Sequence, residues 1–179
     1  GATALNEPSS ALGARFSHNL GAQSARSLFM RMGARAGLPG DVTFSANWQQ
    51  GWTRAAAGGL LRDGGMLMSR SWSADVARRD LFARGDMLGV RVSQPLRVVA
   101  SRFNVLLADG WDWQQEIATE RTVALNLVPQ GRQRDYELSY GRGMGPGWLG
   151  ANLYVREQGG NIATMPTELG MALRWSMGF

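Results

Sequence analysis

His18 is the sole histidine of the chain, and Ser17 stands beside it. A histidine next to a serine is the first place to look for a nucleophile and its base. On a strand, however, adjacent side chains point to opposite faces, so Ser17 and His18 cannot pair and a serine from another strand would be needed. Cysteine is absent, which excludes disulfides and thiolate ligands, and one histidine without cysteine makes a poor metal set. The glycine-rich "GRGMGPG" (141–147) lacks the lysine and the strand–helix context of a phosphate loop and reads as a turn. No catalytic residue, metal or cofactor is therefore expected, and the chain is not expected to be an enzyme. What remains is electrostatic chemistry. All 19 basic residues are arginine, whose planar fork matches carboxylates two bonds at a time. Arg15, Arg31, Arg35, Arg91, Arg156 and Arg174 lie on the non-apolar faces of alternating segments, as do Asp75, Asp135 and Glu137. Arginines this spread out, with acids among them and a net charge of +5, form no basic block, so nucleic acid is not an expected partner.

The elements that carry these residues have period two. Eight segments alternate: 11–20, 27–38, 41–54, 66–79, 86–98, 133–142, 148–157 and 168–179. In the last, Leu169, Met171, Leu173, Trp175, Met177 and Phe179 alternate with Gly170, Ala172, Arg174, Ser176 and Gly178. Short turns ("GLPGD", "FARGD", "GRGMGPG") and longer connections ("TRAAAGGLLRDGG", "EQGGNIATMPTE") tend to succeed one another. Between 100 and 131 the apolar parity switches. Phe103, Val105 and Leu107 are odd where the preceding segment uses even positions, and Val123, Leu125 and Leu127 are odd where the following one does. A pair of β-bulges near Ala100 and Pro129 explains both switches and predicts a hairpin over about 99–132 with "DGWDWQQE" at its tip. Counting its arms as separate staves gives ten strands instead of eight.

The predicted fold is all-β: an antiparallel up-and-down transmembrane barrel of about eight strands (alternative ten), with a lead-in over 1–10 and the barrel over 11–179. Segments of about 10 to 14 residues match the length a tilted strand needs to cross a bilayer, whereas soluble strands are commonly about five or six. The Arg, Asp and Glu faces would form a lumen network, with small residues making room. Trp52 and Trp72 near one end and Trp148 and Trp175 near the other would form interfacial girdles. A soluble or surface β-sheet protein remains the alternative, gripping a partner through Trp111 and Trp113 at the hairpin tip. No run is long and apolar enough for a membrane helix. The opening "GATALNEPSS" is no signal peptide, so the chain reads as a mature portion or as not exported.

The ending "ALRWSMGF" resembles the last strand of Gram-negative outer-membrane proteins, whose final aromatic is read by the barrel-assembly machinery. "WSADVARRDLFARGDMLGVRVSQPLRV" (72–98), "GRQRDYELSYGRGMG" (131–145) and the stretch from Gly150 to the end resemble the C-terminal barrel of autotransporter-type serine peptidases of the subtilisin family. The resemblance implies an outer-membrane location and contact with outer-membrane lipid. It also implies Phe179 as the assembly signal, and a translocator or anchor role toward a passenger domain or other surface protein. The family has 12 strands, more than are counted here, and no subtilisin Ser, His and Asp motif is present. Some small outer-membrane barrels modify lipid A with His, Ser and an acid, which makes that chemistry a further alternative for His18.

Overall fold

The computed structural model describes residues 1–8 and 24–177. Nine strands form one antiparallel sheet: β1 (Ala2–Glu7), β2 (Ala25–Leu38), β3 (Val42–Ala55), β4 (Leu61–Arg79), β5 (Met87–Asp112), β6 (Ile117–Leu125), β7 (Arg134–Met144), β8 (Gly147–Glu157) and β9 (Glu168–Met177). The order is β1-β2-β3-β4-β5-β7-β8-β9, with β6 off this path and paired to β5. Nine is the count among the described residues, which leave out the expected first strand, 11–20. Eight strands follow the path, and of the two arms between 100 and 131 only the second is a strand of its own.

Among the described residues no ladder joins β1 to β9, so the sheet is open and not closed into a barrel. The expected first segment, 11–20, lies outside the described residues. Among the described residues the strand before β2 is Ala2–Glu7, within the stretch assigned to a lead-in, and it pairs with Ala25–Met30.

The chain divides into two compact units. One comprises 1–30, 50–70 and 98–128; the other comprises 31–49, 71–97 and 129–179. In the first, alternation sorts the side chains by face: Ala25, Ser27, Gly51, Thr53, Ala55, Leu67 and Ser69 are buried, while Arg26, Leu28, Arg54 and Met66 are exposed. Ala55, Leu61, Leu67 and Phe103 form its core. The Phe103 ring lies where a Cβ on Gly65 would stand, so this crossing requires glycine. The 53–65 stretch, expected as a long loop, is mostly strand. β3 runs to Ala55, β4 starts at Leu61, and Gly58 bridges Leu61. Its small residues carry too little apolar contrast to show a period.

Across the parity switch β5 stays in strand, pairing with β7 over 87–93 and with β6 over 103–112. The register shift of the hairpin lies at Ala108/Gly110. Near Pro129 the chain leaves the sheet altogether over 126–133.

In the second unit β7, β8 and β9 form an uninterrupted meander, from Arg134↔Glu157 to Met144↔Gly147 and from Gly147↔Met177 to Arg156↔Glu168. Gly145 (φ 55°) and Pro146 make the β7–β8 turn, with glycine supplying the positive φ that a tight hairpin needs. The β8–β9 connection (158–167) holds a single 3₁₀ turn at Gly159–Asn161.

Candidate functional site

The strands of the second unit set polar side chains on one face at every other residue. Asp75 forms an ion pair with Arg91 and also accepts from the Ser45 hydroxyl at 3.4 Å. These groups border an open recess of about 450 Å³, together with Arg35, Thr43, Asn47 and Arg79. Farther along the face, Arg156 Nε lies 3.0 Å from Asp135 and its Nη1 lies 3.4 Å from Glu168. Asp135 also accepts from the Gln133 amide at 2.9 and 3.0 Å. Arg156 is further placed 5.8 Å from the Tyr154 ring centroid. Glu137 is held by the Asn152 amide. A second recess of about 360 Å³ is bordered by Ser139, Gly141, Trp148, Gly150, Asn152 and Arg174.

Among the residues expected to share one network, the structure brings together Asp75 with Arg91 and Asp135 with Arg156. Arg35 lines the same recess as Asp75 and Arg91, and Arg174 lines the second recess. Arg31 donates to Gln49 at 3.0 and 3.1 Å. Glu137 meets the Asn152 amide. Arg15, His18 and Phe179 lie outside the described residues. Glu168 was missed although its even position matches Arg174; it sits one residue ahead of the apolar run that drew attention. No group of His, Cys, Asp and Glu among the described residues is arranged to hold a metal.

The tryptophans divide between the faces. Trp175 shares the face of Leu149, its register partner, whereas Trp148 pairs with Gly143 and Ser176 and stands over Gly141 on the polar side. Trp148, expected in one girdle with Trp175, thus lies on the opposite face from it, and its even number matches Gly150 and Asn152. Trp52 and Trp72 occupy the even positions of β3 and β4 that alternate with Thr53, Ser71 and Ser73. At the hairpin tip Trp111 and Trp113 meet edge to face at 6.4 Å, and Trp113 is 85% exposed. The Asp112 carboxylate accepts from the Gln114 and Gln115 N–H groups and so fixes the turn.

Two polar anchors position these strands. The Asp86 carboxylate, 1% exposed, accepts from the backbone N–H of Leu81 (2.8 Å), Phe82 (3.0 Å) and Ala83 (2.9 Å) and from the Tyr140 hydroxyl (3.2 Å). Burial alone would raise its pKa. The three amides and the phenol outweigh burial and hold it below the ordinary carboxylate value. Arg97 donates from Nε to the Gly131 carbonyl (2.9 Å) and from Nη2 to the Pro129 carbonyl (2.6 Å). It thereby ties the irregular 126–133 segment to β5, just where β5 exchanges β7 for β6 as its partner.

Comparison with family models, curated proteins and solved structures finds no match.

Proposed function

We propose that this chain is a non-catalytic outer-membrane β-barrel, or a portion of one, that anchors or helps deliver a surface-exposed passenger. One observation carries the reading. On β9, Leu169, Met171 and Leu173 are 78%, 68% and 67% exposed, while alternate residues of the same strand include Glu168, which pairs with Arg156. A strand this apolar on its open face is out of place in water and in place against lipid, where the opposite polar face must then be enclosed. Closure of the sheet belongs to the proposal, since an open edge cannot persist in hydrocarbon. The passenger role draws on the autotransporter resemblance, and the assembly role of Phe179 draws on the outer-membrane ending. The test is extraction and gel migration. The protein should need detergent and should run at different apparent sizes before and after boiling. A chain soluble without detergent and showing no such shift would sink the membrane reading.

A second reading has its own observation, the exposed Trp111–Trp113 pair on a ribbon whose residues from Leu107 to Trp111 and from Ile117 to Arg121 are exposed on both faces. Such a ribbon suits a surface protein that binds a partner through aromatic anchors. If Trp111→Ala/Trp113→Ala leaves capture of every candidate surface partner unchanged, that reading fails.

A further inference from the structure

The outer rows of β1, β2 and β3 in the first unit place two arginines directly opposite one another. The Ala56 N–H donates to the Ser24 carbonyl at 2.8 Å, and the Ser27 and Thr53 hydroxyls meet at 2.8 Å. Both bonds fix the same antiparallel register, in which Arg26 faces Arg54 and Leu28 faces Trp52. The β1 ladder adds Asn6 opposite Arg26 and Ala4 opposite Leu28. One row thus reads Asn6, Arg26, Arg54, and the next reads Ala4, Leu28, Trp52. Residues of the two rows border one open recess of about 800 Å³.

Like charges directly opposite on a sheet repel, and cross-strand Cβ atoms stand only about 5 Å apart. Among the described residues neither guanidinium takes part in an ion pair with a carboxylate. Both arginines are exposed, and Leu28 beneath them is 46% exposed. Two uncompensated guanidinium forks above a leucine and a tryptophan make an amphipathic site. The upper row would neutralise a dianion, and the lower row would lie along hydrocarbon. An indole at this boundary suits its half-polar character.

We propose that Arg26 and Arg54 hold the phosphate monoester headgroup of an anionic lipid, with its acyl chains lying along Leu28 and Trp52. Asn6 adds an amide donor at the end of the row. The proposal rests on the membrane reading above and names one lipid class and its place within it. Charge complementarity commits the site to a lipid phosphate: a zwitterionic headgroup would bring its own cation against the pair, and a free phosphate would leave the apolar row uncovered.

The test uses the full chain in neutral detergent micelles and in phosphatidylcholine vesicles. Retained lipid is counted by native mass spectrometry after addition of phosphatidic acid, of phosphatidylcholine with the same chains, or of inorganic phosphate. The wild type should retain phosphatidic acid about tenfold over phosphatidylcholine, as expected for charge-assisted bonds from two guanidinium groups. Arg26→Gln/Arg54→Gln should erase that preference, Arg26→Lys/Arg54→Lys should keep part of it, and Arg121→Gln on the hairpin should leave it intact. Insertion into the neutral vesicles reports on the membrane reading independently of these arginines. Insertion with an unchanged preference in the double glutamine variant overturns the lipid site alone. Abolition of the preference by millimolar inorganic phosphate also overturns it. Failure to insert overturns both.

Discussion

At the scale of single residues, the chain is governed by where charge is compensated. Asp86 is the clearest case, a carboxylate excluded from water yet held ionised by three amides and a phenol. Its pKa is depressed on folding, so the stability it contributes is present above the unfolded carboxylate pKa of about 3.9 and is lost as pH falls through the lower folded value. Asp86→Asn should therefore be less stable than the wild type at neutral pH. The gap should narrow as pH drops below about 4, measured by urea unfolding at a series of pH values. A gap independent of pH would show that the carboxylate charge is irrelevant to the turn. Gly65 gives a second residue-scale expectation. Gly65→Leu should cost about 1–3 kcal/mol by overpacking against Phe103, whereas Gly37→Leu, which meets nothing within 4 Å, should cost much less. The charge pairs were partly legible in the sequence because alternation places Asp75, Arg91, Asp135 and Arg156 on one type of face. Asp86 was not, because three of its partners are backbone groups of its own turn and the fourth, Tyr140, is 54 positions away, so a lone Asp after Gly in "FARGD" looks like any other turn residue. The opposed arginines were equally hidden: Arg26 and Arg54 are 28 positions apart, and only the register makes them neighbours.

At the scale of elements, one strand serves two ladders. β5 pairs with β7 through residues 87–93 and with β6 through 103–112, and Arg97 sits between the two sets. Replacing Arg97 with Ala leaves two carbonyls of the 126–133 segment without their donor, a loss of about 1–3 kcal/mol for bonds to a charged group. Amide exchange should accelerate across 117–133 while β7–β9 keep their protection; uniform acceleration would assign Arg97 a global role instead. The extended hairpin was legible because both of its arms change parity, but near Pro129 the chain leaves the sheet over 126–133 where a bulge was expected. A change of parity in the apolar residues looks identical whether the backbone inserts a residue or leaves the sheet. β1 escaped notice for another reason, since "ATALNE" is short and its small residues alternate too weakly to register.

At the scale of the molecule, the all-β class and the antiparallel order were readable from the alternating segments, whereas the lengths of β4 and β5, 19 and 26 residues, were not. Closure was not readable, for pairing between distant strands leaves no local signature, and the described residues leave the sheet open. If the chain is a barrel that carries its assembly signal at Phe179, then Phe179→Ser should lower the amount of heat-modifiable protein in the outer membrane several-fold. Its yield of refolded protein in detergent should not change, because the signal acts on assembly and not on stability. Equal levels in membranes would dispose of the signal. The uninterrupted β7–β8–β9 meander has a consequence in time. Its partners are separated by few residues, its β7–β8 turn is two residues long, and local pairings of this kind close in microseconds while distant ones wait. The C-terminal three strands should therefore acquire protection first in pulse-labelling experiments. A finished ribbon with β9 at its rim would then await the slower N-terminal strands, so the order of folding would run opposite to the order of synthesis.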